Sequence, residues 1–193
     1  MLELFLAVIV SALSAWGFWI FNQGIARGDE KPNTAAWNLW VLLTIINLSS
    51  YFTMNRDWYI SALLITDTSL CIMTWLMTWS RGHFEPPPQR DYIPIALTLI
   101  AIIIWKISSA ANANLFAQLP MAISFAPYWL DAWSGKIQAR AWIIWTSGFA
   151  LDIPLIYLRH IQTCRNDYHD YLYQGIGVIL HGGIAAIALY RKR

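Results

Sequence analysis

Long apolar runs separated by short polar segments dominate the chain. A helix needs about 20 mostly apolar residues to cross the hydrocarbon core of a bilayer. Seven runs approach that length: 2–21, 36–54, 58–79, 92–108, 112–133, 141–158 and 171–190. The breaks are polar, and SRGHFEPPPQRD at 80–91 carries three prolines, which exclude helix. The pattern predicts an all-α protein with seven transmembrane helices.

Two details of this pattern need a decision. The fourth and fifth helices are separate only if KISSAANAN, at 106–114, contains a short turn. The first run has the length of a signal peptide, but its start carries Glu3 and no Lys or Arg, and no cleavage site follows. We therefore interpret it as a spanning helix.

Composition excludes a soluble domain. The chain is 58% hydrophobic and 12% charged, whereas soluble domains carry about 25% charged residues. Its 12 Trp residues agree with a bilayer partner, because Trp collects at membrane interfaces. A net charge of +2 gives no indication of nucleic-acid binding. Cys71 and Cys164 match no metal or redox spacing, and we expect both to be unpaired.

The distribution of Lys and Arg predicts the orientation. With seven helices, the loops on the side of the C-terminus hold nine of the 13 basic residues, and the other side holds four. The positive-inside rule then places the N-terminus outside and the C-terminus in the cytoplasm. Short loops and the lack of a targeting peptide favour a bacterial cytoplasmic membrane.

A short motif occurs twice, as AAWNLW at 35–40 and RAWIIW at 140–145. One such match is expected by chance in a chain rich in Trp, but further polar and aromatic residues follow in register. The aligned pairs are Trp37 with Trp142, Trp40 with Trp145, Asn47 with Asp152, Phe52 with Tyr157, and, offset by two residues, Asp67 with Gln174. Helices one to three then resemble helices five to seven. An odd helix between them gives a parallel repeat.

Three segments resemble the SWEET and PQ-loop transporters: ITDTSLCIMTW at 65–75, APYWLDAWSGKIQARAW at 126–142 and QGIGVILHGG at 174–183. The Pnu-type vitamin transporters are a related possibility. The resemblance implies two parallel three-helix bundles, 1–80 and 111–193, joined by a loop and linker helix at 81–110. It also implies a central substrate cavity between the bundles.

Polar residues inside the predicted helices are the candidates for that cavity. An Asp at the centre of a membrane helix costs about 2.5–3.5 kcal/mol on insertion scales, which makes Asp67 the strongest candidate. The predicted substrate-binding residues are Asp67, Asp152, Asn47, Gln174, Trp145 and Trp40. Hydrogen bonding within the helix bundle is the alternative for the polar ones, and an interfacial belt is the alternative for the Trp residues.

Two further roles are predicted. Asp67 and His181 are candidates for a proton relay, since His titrates near neutral pH. Pro120, Pro127 and Pro154 are candidate hinges, because a proline inside a helix frees a carbonyl and bends it.

The sequence gives no sign of catalysis or of a bound cofactor. No standard catalytic motif is present. A polar loop with His160, Asp167, His169 and Asp170 matches no standard metal spacing. Lys106 lies in the fourth helix, where a retinal Schiff base is not expected. We expect no metal and no cofactor.

The prediction is a small-molecule transporter that works by alternating access. Two carboxylates in one cavity favour a cationic substrate or proton coupling, and the resemblances add a sugar, a nucleoside or a vitamin. The main alternative is a non-transporting membrane receptor for a peptide or small ligand, and a third is a membrane enzyme using Asp67 with His181. The expected partners are a small-molecule substrate, the lipid bilayer and a second copy in a homo-oligomer.

Overall fold

The computed structural model describes residues 1–30, 32–80, 92–164 and 167–192. Within these residues the fold is all-α, with no strand. The helices are α1 (Leu2–Arg27), α2 (Thr34–Asn55), α3 (Trp58–Ser80), α4 (Tyr92–Ile107), α5 (Ala110–Ser124), α6 (Ala126–Trp133), α7 (Ala139–Thr163) and α8 (His169–Arg191). The proline-rich loop predicted at 80–91 lies outside the described residues, apart from Ser80.

Four of these helices, α1, α3, α7 and α8, are long and apolar enough to cross a membrane. Large apolar side chains on their outer faces are exposed, including Phe5, Trp19, Leu76, Ile161 and Ile179. Exposure of such an apolar surface to water is unfavourable, whereas its contact with the lipid tails of a bilayer is not. The prediction of an all-α membrane protein is therefore confirmed in these terms.

The turn required between the fourth and fifth helices is present. α4 ends at Ile107 and α5 begins at Ala110. The side chain of Ser109 accepts a hydrogen bond of 3.1 Å from the backbone N–H of Asn112, and so caps the start of α5.

The fifth predicted helix, 112–133, differs from the prediction because it is broken at Phe125 into α5 and α6. Pro127 is the second residue of α6. A proline has no N–H to donate to the carbonyl four residues earlier, here that of Ile123, and its ring crowds that carbonyl. The seven predicted runs thus correspond to eight helical segments among the described residues.

We divide the helices around the cavity into two sets, α1–α3 and α5–α8, to describe their contacts. In the first, α3 contacts both α1 and α2; in the second, α8 contacts α7 and the α5–α6 pair. Between the sets, α1 packs against α7 and α2 packs against α5. α4 lies against α5 and α2. The centre of the molecule is therefore enclosed by helices of both sets.

Candidate functional site

A cavity lies between α1, α2, α3, α5, α7 and α8. Its volume is about 50 Å³. One water needs about 10–15 Å³ of such volume, so the cavity holds a few waters. Its aromatic and imidazole lining consists of Phe18, Trp37, Trp40, Phe125, Trp145, Phe149, Tyr173 and His181. The polar and sulfur-bearing residues of the lining are Thr44, Asp67, Cys71, Gln118 and Met121.

Asp67 is the carboxylate on the cavity wall, near the middle of α3. The hydroxyl of Ser14 on α1 donates to its Oδ1, and the hydroxyl of Tyr173 on α8 donates to its Oδ2 over 3.4 Å. A carboxylate has about four acceptor positions, so about two remain free. Asp67 takes part in none of the ion pairs that the described residues form.

Gln118 presents a second acceptor. Its Nε2 donates to Asn47 Oδ1 at 2.9 Å and to the carbonyl of Asn114 at 2.9 Å. Two acceptors around one atom fix that atom as the amide nitrogen, so Oε1 is the other end of the amide. Gln118 lines the cavity, and its buried Oε1 has no partner among the described residues.

Asn47 lies behind Gln118 and not among the residues that line the cavity. Its Oδ1 also accepts from Asn114 Nδ2 at 3.1 Å. The three amides join α2 to α5 in a fully buried cluster.

Asp152 and Gln174 form a separate buried pair. Gln174 Nε2 donates to Asp152 Oδ2 at 2.9 Å, which joins α7 to α8. Neither residue lines the cavity. Of the six predicted substrate-binding residues, the structure therefore brings Asp67, Trp40 and Trp145 to the cavity wall and leaves Asn47, Asp152 and Gln174 outside it.

The two Ala-Trp-x-x-Trp motifs pack against each other. Ring centroids are 5.1 Å apart for Trp37 and Trp40, 5.3 Å for Trp142 and Trp145, and 6.5 Å for Trp40 and Trp142. All four rings are buried, so an interfacial belt does not describe them. We call these four residues the tryptophan cluster.

Hydrogen bonds from α5 and α6 hold the first half of this cluster. Trp37 Nε1 donates to the hydroxyl of Tyr128 at 2.8 Å, and Trp40 Nε1 donates to the hydroxyl of Ser124 at 2.7 Å. The ring of Trp40 also stacks on Tyr128, with 5.0 Å between centroids. α2 is thus tied to the helices around the Phe125 break.

His181 occupies the aromatic part of the cavity. Its Nδ1 lies 2.9 Å from the carbonyl of Gly177, and its ring stacks on Phe149. Nδ1 must carry the proton in that bond, so in the neutral imidazole Nε2 keeps a lone pair. The hydrogen bonds of the described residues include none between His181 and Asp67, and a relay between them stays a prediction.

The opposite end of the molecule carries a polar network around Asp170. The hydroxyl of Tyr51 on α2 donates to the Asp170 carbonyl at 2.7 Å, and Asn55 Nδ2 donates to its carboxylate at 3.3 Å. His160 Nε2 lies 2.8 Å from the same carboxylate. Beside them, Arg159 bonds Asp57 through two nitrogens. We call the contacts of Asp170 with Tyr51, Asn55 and His160 the Asp170 network.

The loop residues considered for a metal site are used differently. His160 pairs with Asp170, and His169 pairs with Asp167 at 2.8 Å. No group of three or more potential metal ligands occurs within the described parts of the chain.

The predicted hinges lie at distinct places. Pro120 is buried inside α5, Pro127 lies at the start of α6, and Pro154 lies inside α7. Only Pro127 coincides with a break in the helix. A hinge role for all three stays a prediction.

Glu30 is a buried carboxylate that the sequence did not single out. It lies between α1 and α2, packs against Gly24, and accepts a hydrogen bond of 3.1 Å from the backbone N–H of Gln138. Burial raises its pKa to about 7, although that hydrogen bond and the charge of Lys192 oppose the rise. Glu30 therefore links the α1–α2 loop to the α6–α7 loop.

No protein-family model matches the chain, and neither a curated protein nor a solved structure shows significant similarity to it.

Proposed function

We propose that the protein is a small-molecule transporter that moves its substrate through the central cavity by alternating access. The observation that carries this proposal is the composition of the cavity wall. Phe18, Trp40 and Asp67 come from the first helix set, and Gln118 and Trp145 come from the second. A site shared by two sets of helices opens to either side when one set rocks against the other.

The packing of the helices supports the parallel repeat. The first bundle would be α1–α3 and the second α5–α8, with α4 as the linker. In each set the last helix touches the other two, and the contacts α1 with α7 and α2 with α5 correspond to each other when the two sets are exchanged. The contact between the two Trp motifs fits the same exchange. The proposed arrangement is the 3+1+3 architecture that the resemblance to SWEET and PQ-loop transporters implies.

Both ends of the cavity carry contacts between the two sets. On one side are the tryptophan cluster, the Trp37–Tyr128 bond and the Glu30–Gln138 bond. On the other side is the Tyr51–Asp170 bond. Contacts that close both sides of a small cavity fit an occluded state. From that state, the contacts on one side can open while those on the other side stay closed.

The orientation follows from the basic residues. With the N-terminus outside, the tryptophan cluster faces the cytoplasm and the Asp170 network faces outward. A bacterial cytoplasmic membrane and a homo-oligomer remain part of the proposal.

Transport is tested by counterflow into proteoliposomes. The panel contains labelled sugars, nucleosides, vitamins and amines, each measured with and without protein. The proposal requires that at least one class accumulates and that Trp40→Ala reduces its rate at least about tenfold. Binding without accumulation would indicate the receptor alternative, and a chemically altered solute would indicate the enzyme.

A further inference from the structure

We propose that the cavity binds a small organic ammonium ion, with Asp67 and Gln118 as its polar contacts and the surrounding rings as a cage. The proposal rests on the proposed function, since it names the substrate class of the same cavity. It goes beyond it by choosing among the sugar, nucleoside, vitamin and amine classes.

The first argument is charge. A carboxylate buried among membrane helices is costly unless a cation or a proton accompanies it. The donors that reach Asp67 are two neutral hydroxyls, from Ser14 and Tyr173. No Lys or Arg of the described residues forms an ion pair with it. An ammonium ion in the cavity supplies the missing positive charge.

The second argument is the chemistry of the other polar atoms. Gln118 Oε1 is a buried acceptor without a partner among the described residues, and neutral His181 keeps a lone pair on Nε2. Both residues line the same cavity as Asp67. Three acceptor-bearing residues that line one cavity favour a ligand that donates hydrogen bonds, which a protonated primary amine does through three N–H groups.

The third argument is the aromatic wall. Trp37, Trp40, Trp145 and Phe18 surround the cavity together with Tyr173. Aromatic faces attract cations, Trp most strongly. The limited room in the cavity restricts the ligand to a small head group.

The test uses Cys71, a thiol that lines the cavity. Cys164, the exposed cysteine, is first replaced by Ser, and alkylation of Cys71 by N-ethylmaleimide is followed at pH 7 in detergent. The probes are n-butylammonium and the uncharged n-butanol of similar shape. We expect butylammonium to slow alkylation at least about fivefold and butanol to leave the rate unchanged.

The matched variants are Asp67→Asn and Asp152→Asn, since both remove a buried carboxylate and only Asp67 lines the cavity. Asp67→Asn should raise the butylammonium concentration that gives half-maximal protection at least about thirtyfold, the scale for losing one partner of a buried charge pair, whereas Asp152→Asn should leave that concentration unchanged. Equal protection by butanol, equal loss in both variants, or no protection at all would overturn the inference. The comparison of butylammonium with butanol is made in protein that retains Asp67, so it does not depend on the folding of the Asp67→Asn variant.

Melting curves give a second readout if Cys71 reacts too slowly. Butylammonium should raise the melting temperature and butanol should not. Failure of the transport proposal looks different from failure of this inference. If butylammonium protects Cys71 but does not accumulate in proteoliposomes, the ammonium site stands and transport is wrong. If an uncharged solute accumulates and no ammonium ion protects, transport stands and the ammonium site is wrong.

Discussion

The indole of Trp40 packs edge-on against the indole of Trp142, with 6.5 Å between ring centroids, although the two residues belong to different copies of the same short motif. Trp40 comes from α2 and Trp142 from α7. The contact joins the two helix sets, since α2 belongs to the first and α7 to the second. Trp40 also lines the cavity, so the proposed repeat and the proposed transport mechanism both involve this contact.

Removal of one ring from this cluster should be costly. Trp142 is fully buried, and Trp142→Ala should lower the free energy of unfolding by about 3–5 kcal/mol because it leaves a large cavity. The exposed Trp133 of α6 is the control, and Trp133→Ala should cost less than about 1 kcal/mol. Denaturant unfolding in detergent measures both, and similar losses would contradict the central position of the cluster.

Two helical glycines give an opposite pair of predictions. A Cβ on Gly17 would lie 2.6 Å from Trp145 Nε1, whereas a Cβ on Gly175 would meet nothing within 4 Å. Gly17→Ala should therefore destabilise the protein by about 1–3 kcal/mol through overpacking. Gly175→Ala should be neutral or stabilise by up to about 1 kcal/mol, because Ala favours helix. Melting curves of the two variants decide the matter, and a stable Gly17→Ala protein would show that α1 is not held against Trp145.

Glu30 predicts a pH dependence of stability. Burial raises its pKa from the ordinary 4.5 to about 7, so between these values the folded state binds more protons than the unfolded state. Its contribution to the free energy of unfolding is therefore present at low pH and is lost as the pH rises to about 7, by up to about 3 kcal/mol. Above about pH 7 the loss is complete, and the contribution of Glu30 to the free energy of unfolding no longer changes with pH.

Glu30→Gln isolates this effect, because the amide oxygen can still accept from Gln138. Its melting temperature should match that of the unmodified protein at pH 5 and exceed it by several degrees at pH 8. If the melting temperatures of the Glu30→Gln variant and the unmodified protein differ by the same amount at pH 5 and at pH 8, the pKa of Glu30 is not raised.

The Tyr51–Asp170 bond is expected to keep the outer end closed. Tyr51→Phe removes a buried hydrogen bond of 2.7 Å, which is worth about 1 kcal/mol, and so should favour opening at that end about fivefold. In Cys164→Ser protein, a membrane-impermeant thiol reagent applied from the outside should label Cys71 faster by that factor. Thr53→Ala, at an exposed hydroxyl of the same helix that bonds its own backbone, should leave the rate unchanged.

The sequence predicted the helices well because apolar runs and their polar breaks depend on local composition. The turn at Ser109 follows from the length of the apolar stretch, because separate fourth and fifth helices require a short turn between them. The break at Phe125 was not predicted, since a proline need not end a helix, as Pro120 and Pro154 inside α5 and α7 show. The choice depends on packing around the proline, which one sequence does not show.

The site was predicted less completely. Asp67 stands out in the sequence because a carboxylate in an apolar run is rare, and Trp40 and Trp145 stand out because the motif occurs twice; all three line the cavity. Ser14, which donates a hydrogen bond to Asp67, carries no such signal, since serine is common in membrane helices and the two residues lie far apart in sequence. Gln118 is not among the predicted substrate-binding residues, because its free acceptor is apparent only from the hydrogen bonds of its Nε2 to Asn47 and to the carbonyl of Asn114.

The central claim is that the cavity opens alternately to the two sides of the membrane. Cys71 tests it most directly, in Cys164→Ser protein, with a membrane-impermeant thiol reagent applied to intact cells and to inverted vesicles. The account predicts labelling from both sides. It also predicts that Tyr51→Phe raises the rate from the Asp170 side while lowering it from the tryptophan side. Labelling from only one side, or a Tyr51→Phe effect of the same sign on both sides, would contradict alternating access.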